Sequence, residues 1–298
     1  MTLTPRALRG ALLTAATALC AAALVALLVW IVADAAVGGA PALSWRFLTQ
    51  PPSDELTRGG IFPALCGTAA VTLLMTIAVM PVGVVTAIWL SEYAPPRSRL
   101  KAVVRTAVQN LAGVPSIVFG LFGLGFFVHF VGRHVDRLMG VDLKYAQPGL
   151  LWAALTLAVL TLPVVIVATE EALRSVPPEL REASLALGAT RSQTVARVVL
   201  PRAAPGILTA AVLAISRGAG EVAPILLTGV AFWLPELPRS PSEQFMHLGY
   251  HAYVLATQSP DVQATRPLLY ATVLVLLVVT FGLDLVAMVI RARMGRRR

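Results

Sequence analysis

Arg217 and Glu221 stand four residues apart inside a long apolar run. A charge so placed needs a reason, because an Arg at the centre of a membrane helix costs roughly 2.5–3.5 kcal/mol on insertion scales. Two readings are open: an ion pair that packs helices together, or a pair that faces a hydrated cavity and handles an anion. The guanidinium suits a phosphate-like oxyanion because its planar fork donates two parallel hydrogen bonds and stays charged. Glu221 would orient Arg217, balance its charge, or accept a hydrogen bond from a protonated oxyanion. Gly218 and Gly220 flank the pair and clear side chains from a close approach. Thr72 recurs with Thr68 and Thr76 at four-residue spacing, either lining a pathway or bonding its own backbone. Asn110 and Ser116, on either side of Gly113, are further pathway candidates.

A second constellation lies in residues 170–202. Pro177-Pro178 stops one helix and can start another, since proline is welcome in a first turn. Leu180, Ala183, Ser184 and Leu187 then recur at helical spacing and are expected to share one face. Gly188 suits a turn, residues 192–199 would form a second short helix, and Pro201 would end it. Alternating charge beside a small apolar face fits either a solvated loop or a helix that docks into a partner's groove.

The elements that must hold these residues follow from composition. Of 298 residues, 57% are hydrophobic and 13% charged, about half the charged fraction of a soluble domain. Six apolar runs are long enough for a bilayer core of about 30 Å: residues 10–37, 63–90, 103–131, 149–169, 203–233 and 267–290. These values exclude a soluble enzyme, a disulfide-stapled secreted domain and a disordered chain. The expected protein is an all-α transmembrane chain, one domain over 1–298. Cys20 and Cys66 both lie in apolar runs and offer neither a disulfide framework nor metal-ligand spacing.

The net charge of +9 has a membrane explanation. Sixteen of the 24 Lys and Arg fall on one side of the expected spans, among them Arg6, Arg9, Arg97, Arg99, Lys101, Arg105, Arg291 and Arg296 to Arg298. Seven, including Arg58, fall on the other. The excess puts both termini in the cytoplasm. The first run is too long for a signal core and is expected to remain as a helix. Pro81, Pro115, Pro163 and Pro224 are expected to kink spans, with Pro115 depriving the Leu111 carbonyl of its partner.

Glu182-Ala183-Ser184, Gly188 six residues after that Glu, and Leu200-Pro201 resemble the EAA loop of bacterial ABC importer permeases. The family usually has Ala at position 184 and often Ile at 198, mild departures. Residues 67–94, Leu111 to Leu121, and Ile215 to Glu221 resemble the phosphate-uptake permeases of the Pst type, and within them the PstA type. The resemblance implies the six-helix type I ABC importer permease fold. It also implies that Glu182, Ala183, Gly188, Leu200 and Pro201 engage a separate ABC ATPase, and that Arg217 and Glu221 serve phosphate translocation. Expected partners are inorganic phosphate, ATPase subunits, a second homologous permease, an extracytoplasmic phosphate-binding protein and membrane lipid, with no nucleic acid.

No phosphate loop occurs, since Lys101 and Lys144 are the only lysines and neither follows a Gly-rich stretch. ATP and Mg are therefore expected on the partner ATPase, with no cofactor on this chain and no enzymatic role. His247 and His251 are read as part of a short amphipathic helix rather than as metal ligands, and Asp284 as an interfacial pairing near the end of span six. The alternatives are an importer of another oxyanion such as sulfate or molybdate, or an ion-gradient transporter or channel.

Overall fold

The computed structural model describes residues 5–53 and 59–296, without the side chains of 5–9, 287, 291 and 294–296. Of the residues behind the charge expectation, Arg58, Arg297 and Arg298 lie outside the described residues, and Arg6, Arg9, Arg291 and Arg296 are described in their backbone alone. Among the described residues, six helices are long and apolar enough to cross a bilayer: Gly10–Gly39, Phe62–Tyr93, Ser116–Met139, Leu150–Arg174, Arg191–Gly220 and Val262–Ile290, here spans one to six.

Spans two, four and five make the centre. Val71, Met75 and Val79 of span two interdigitate with Ala153, Leu157 and Val165 of span four and Ala214 of span five. Small residues on span four let the helices approach, as packing in lipid requires. Span one leans on span six and leaves Leu19, Leu24 and Trp30 exposed, a surface that acyl chains would solvate. The loop over 170–202 lies at one end of the spans, the loop end. The helices Trp45–Thr49 and Leu248–Thr257 lie at the other, the far end.

Two expected spans are interrupted. The run at 103–131, expected as one helix, is divided into the helix Arg99–Ala112 and span three, which starts at Ser116. Pro115 has no N–H to continue the ladder, so the chain breaks instead of kinking. The Leu111 carbonyl is not left unpaired as expected, because it accepts the Val114 N–H at 3.2 Å.

The run at 203–233 corrects in both directions. Its helix begins earlier, at Arg191, and stops at Gly220. Pro201 does not end a helix: the turn over Val195–Val199 widens, the Leu200 N–H bonds the Val195 carbonyl five residues back, and the helix continues through the proline. At the other end Glu221 leaves the helix with φ −80° and ψ 129°. Gly218 and Gly220 weaken the helix there, and Pro224 opens the separate short helix Ala223–Leu226. Glu221 therefore caps the helix of Arg217 and does not share its face, and Pro224 kinks no span.

Both interruptions meet. The helix Ala223–Leu226 packs against Ser116–Phe122, the start of span three. Irregular backbone at such depth is tolerated only inside protein or beside water.

Candidate functional site

Arg217 occupies the last turn of span five, where the partial negative charge of the helix end favours a cation. Its neighbour Gly218 lies against Met75, near the middle of the 32-residue span two, so the pair sits at mid-span. A Cβ on Gly218 would strike the Met75 thioether, which fixes how closely these helices pack. Arg217 Nε lies 3.4 Å from Glu221 Oε1. Neither Nη of Arg217 has a hydrogen bond to protein among the described residues. The Arg217 side chain is 47% exposed and that of Glu221 21%. The arrangement is a half-engaged pair: the carboxylate holds the inner nitrogen, and the outer fork is open.

Ser216, the preceding residue, donates a short hydrogen bond to Asp284 of span six. Asp284 thus pairs inside the helix packing, beside the Arg217 turn, and not at a surface interface as expected. Serine and carboxylate join spans five and six one residue before Arg217.

The other pathway candidates separate from this pair. Thr68, Thr72 and Thr76 each donate to the carbonyl four residues back at 2.7 Å, so their hydroxyls serve the helix that carries them. Thr72 does line an apolar cavity of about 300 Å³ with Thr68, Leu65, Ile215 and Ala219. Thr68 also accepts the Leu248 N–H at 2.9 Å, pinning the far-end helix to span two. Asn110 is exposed and Ser116 half-buried, on either side of the break between Ala112 and Ser116. No hydrogen bond among the described residues joins either to Arg217.

The loop is a built element. Pro178 opens the helix Pro178–Ala186 in its first turn. Gly188 follows at φ +84°, a left-handed conformation that costs any other L-residue. Thr190 and Gln193 then form a reciprocal capping box on the next helix. Leu180 faces inward with Leu173, Val176 and Val199, where Leu200 also packs. Ser184 Oγ and Thr194 Oγ1 are 2.9 Å apart. Ala183 and Leu187, expected on that same face, are exposed instead; Leu187 leaves the face because the helix ends before it. Leu187 is 89% exposed, and Glu182, Gly188 and Pro201 are exposed too.

What ties the loop down was not singled out from sequence. Arg181 donates from Nη2 to Glu92 Oε1 at 2.8 Å and to the Leu173 carbonyl at 2.7 Å. Its Nη1 donates to the Val176 carbonyl at 2.7 Å. Glu92 is a buried acid at the end of an apolar span, and that placement was the signal available.

His247 and His251 belong to a buried far-end helix rather than an amphipathic one. His247 Nδ1 accepts the Gly249 N–H at 3.1 Å and caps the helix. Its Nε2 and both nitrogens of His251 are buried without partners among the described residues. Burial disfavours the charged ring and lowers each pKa to about 4.

Comparison with known proteins bears on the family and the fold. The family described as "binding-protein-dependent transport system inner membrane component" matches residues 79–296. A probable ABC transporter permease, YqgI of Bacillus subtilis, is 35% identical over 87% of this chain and 88% of its own. The phosphate transport system permease PstA 1 of Mycobacterium tuberculosis is 38% identical over 61% of this chain and 55% of its own. PstA of Yersinia pestis is 34% identical over 71% and 68%. Among solved structures, a bacterial alginate ABC transporter matches with TM-score 0.63 at 18% identity, covering 90% of this chain and 92% of that one. The MetNI methionine ABC transporter, in an inward-facing conformation, matches with TM-score 0.54 at 21% identity over 76% and 94%. The six-helix type I importer permease fold is thus shared with both.

Proposed function

The chain belongs to the inner-membrane components of binding-protein-dependent ABC importers, and from that premise we propose that it is the PstA-type subunit of a phosphate importer. The observation that carries this reading is the open Nη fork of Arg217 at mid-span. Two free donors in a plane match two oxygens of a tetrahedral oxyanion. Glu221, 3.4 Å away, keeps the site from holding the anion too tightly and accepts a hydrogen bond from a protonated phosphate oxygen. Fully ionised sulfate lacks that proton. The PstA relatives favour phosphate over other anions.

Both termini and the loop lie on the cytoplasmic side in this reading. Glu182, Ala183, Gly188 and the exposed Leu187 are the surface that an ABC ATPase grips, and Leu200 and Pro201 carry its movement into span five. ATP and Mg act on that ATPase. Arg217 stands on the same continuous helix as the loop's second half, Arg191–Gly220, so a push at Arg191 is delivered rigidly to the anion site. A second homologous permease completes the pathway, and an extracytoplasmic phosphate-binding protein loads it. Asn110, Ser116 and Thr72 are assigned to the pathway wall and not to the anion's direct contacts.

The test is ATP-driven uptake of labelled phosphate by the assembled transporter in vesicles supplied with its binding protein. Uptake that resists competing sulfate and molybdate, and that disappears without the ATPase, is expected. Equal competition by sulfate assigns the chain to another oxyanion, and uptake without ATP assigns it to a gradient-driven carrier.

A further inference from the structure

The helix Arg99–Ala112 at the loop end carries Arg99, Lys101 and Arg105 and no acidic residue, and Arg97 precedes it. It buries none of its residues. Val104 and Val108 rest on the cluster of Leu90, Ile166 and Leu173, while Leu100 and Val103 are exposed. A helix with one apolar side, a basic start and little burial lies naturally at a bilayer surface. Trp89 and Tyr93, aromatics of the type that mark a membrane–water boundary, end span two at the same level.

One carboxylate there serves two guanidinium groups. Glu170 Oε1 lies 3.1 Å from Arg105 Nη2 and 3.7 Å from Arg174 Nη2. The remaining guanidinium N–H groups of both arginines have no protein acceptor among the described residues, and the trio keeps one surplus positive charge. Between them opens a cavity of about 260 Å³. Arg105, Arg174, Gln109 and the Glu170 carboxylate form its polar side, the two guanidinium groups outweighing the one acid, and Leu90, Val108 and Ile166 its apolar side.

We propose that this cavity binds an anionic glycerophospholipid, its phosphodiester between Arg105 and Arg174 and its acyl chain along Leu90, Val108 and Ile166. Inorganic phosphate shares the headgroup chemistry but has nothing to place on the apolar side, so the occupant is the lipid. The site is separate from Arg217 and does not depend on the identity of the transported anion. Because Arg174 ends span four immediately before the loop helix, the bound lipid braces the element that an ATPase would move.

The experiment uses the assembled transporter in vesicles of equal parts phosphatidylcholine and phosphatidylglycerol. After detergent extraction, tightly held lipid is counted by mass spectrometry. Wild type retains phosphatidylglycerol in preference to phosphatidylcholine. Arg105→Gln and Arg174→Gln each lower that retention about fivefold, the factor for about 1 kcal/mol per basic residue at an anionic surface. Arg105→Lys restores most of it, which separates lost charge from lost folding. Arg99→Gln removes the same charge outside the cavity and leaves retention intact. Equal losses in the Arg99 and Arg105 variants, or displacement of the lipid by millimolar inorganic phosphate, overturn the proposal.

Discussion

Arg181 reaches from the loop helix to Glu92 at the end of span two, Nη2 to Oε1 at 2.8 Å and Nε to Oε2 at 3.3 Å, and it also donates to the carbonyls of Leu173 and Val176. One side chain thus joins span two, the end of span four and the loop. Arg181→Ala strands the Glu92 carboxylate, whose side chain is 10% exposed. Removing one partner of such a pair costs about 3–5 kcal/mol. The transporter is expected to melt earlier, and protease is expected to cut first in the loop. Arg181→Lys restores little, since an ammonium cannot span a carboxylate and two carbonyls in one plane. A wild-type melting point in Arg181→Ala would show that the loop is held elsewhere.

Gly188 sets the turn between the two halves of the loop at φ +84°, with open space where a side chain would go. Gly188→Ala therefore loses about 1–2 kcal/mol through backbone conformation alone. The expected outcome is weaker copurification of the ATPase with little change in the far-end structure. Binding at wild-type strength would place the ATPase contact off this turn.

Much of the architecture was legible because burial in lipid demands long apolar helices, and those runs stand out at any threshold. The breaks were not. Hydropathy sees Val114, Val222 and Ile225 as continuous with their neighbours, while the missing N–H of Pro115 and Pro224 stops the helix. Pro201 shows the reverse, a proline carried through by a widened turn. Arg217 with Glu221 was legible as a charge pair inside an apolar run, although the structure leaves the guanidinium half-exposed. The Ser216–Asp284 bond was not, because a contact between spans 68 residues apart leaves no trace in local spacing.

His247 and His251 make the far end sensitive to acid. Burial holds both at about 4 against the ordinary 6.5. Below pH 6.5 the unfolded chain takes up protons that the folded chain refuses until about pH 4, so stability falls across that window and is level above it. The loss reaches about 3 kcal/mol per histidine at the lower limit. Melting points of wild type at pH 7.5 and pH 5 check this, with His251→Phe expected to halve the difference, since His247 remains.

Glu221 restrains Arg217 by holding its Nε side at 3.4 Å. Glu221→Gln leaves the guanidinium uncompensated, so the anion is bound more tightly and released more slowly. Maximal phosphate uptake is expected to fall several-fold while ATP hydrolysis continues. Faster uptake in this variant would contradict the balancing role.

The most direct measurement compares Arg217→Ala and Arg217→Lys with the parent for phosphate uptake and for ATP hydrolysis stimulated by the binding protein. Uptake is expected to vanish with Ala and to stay poor with Lys, which lacks the planar fork, while hydrolysis persists in both. Undiminished uptake by Arg217→Ala would mean that phosphate passes without touching this guanidinium, and the anion site would have to lie elsewhere.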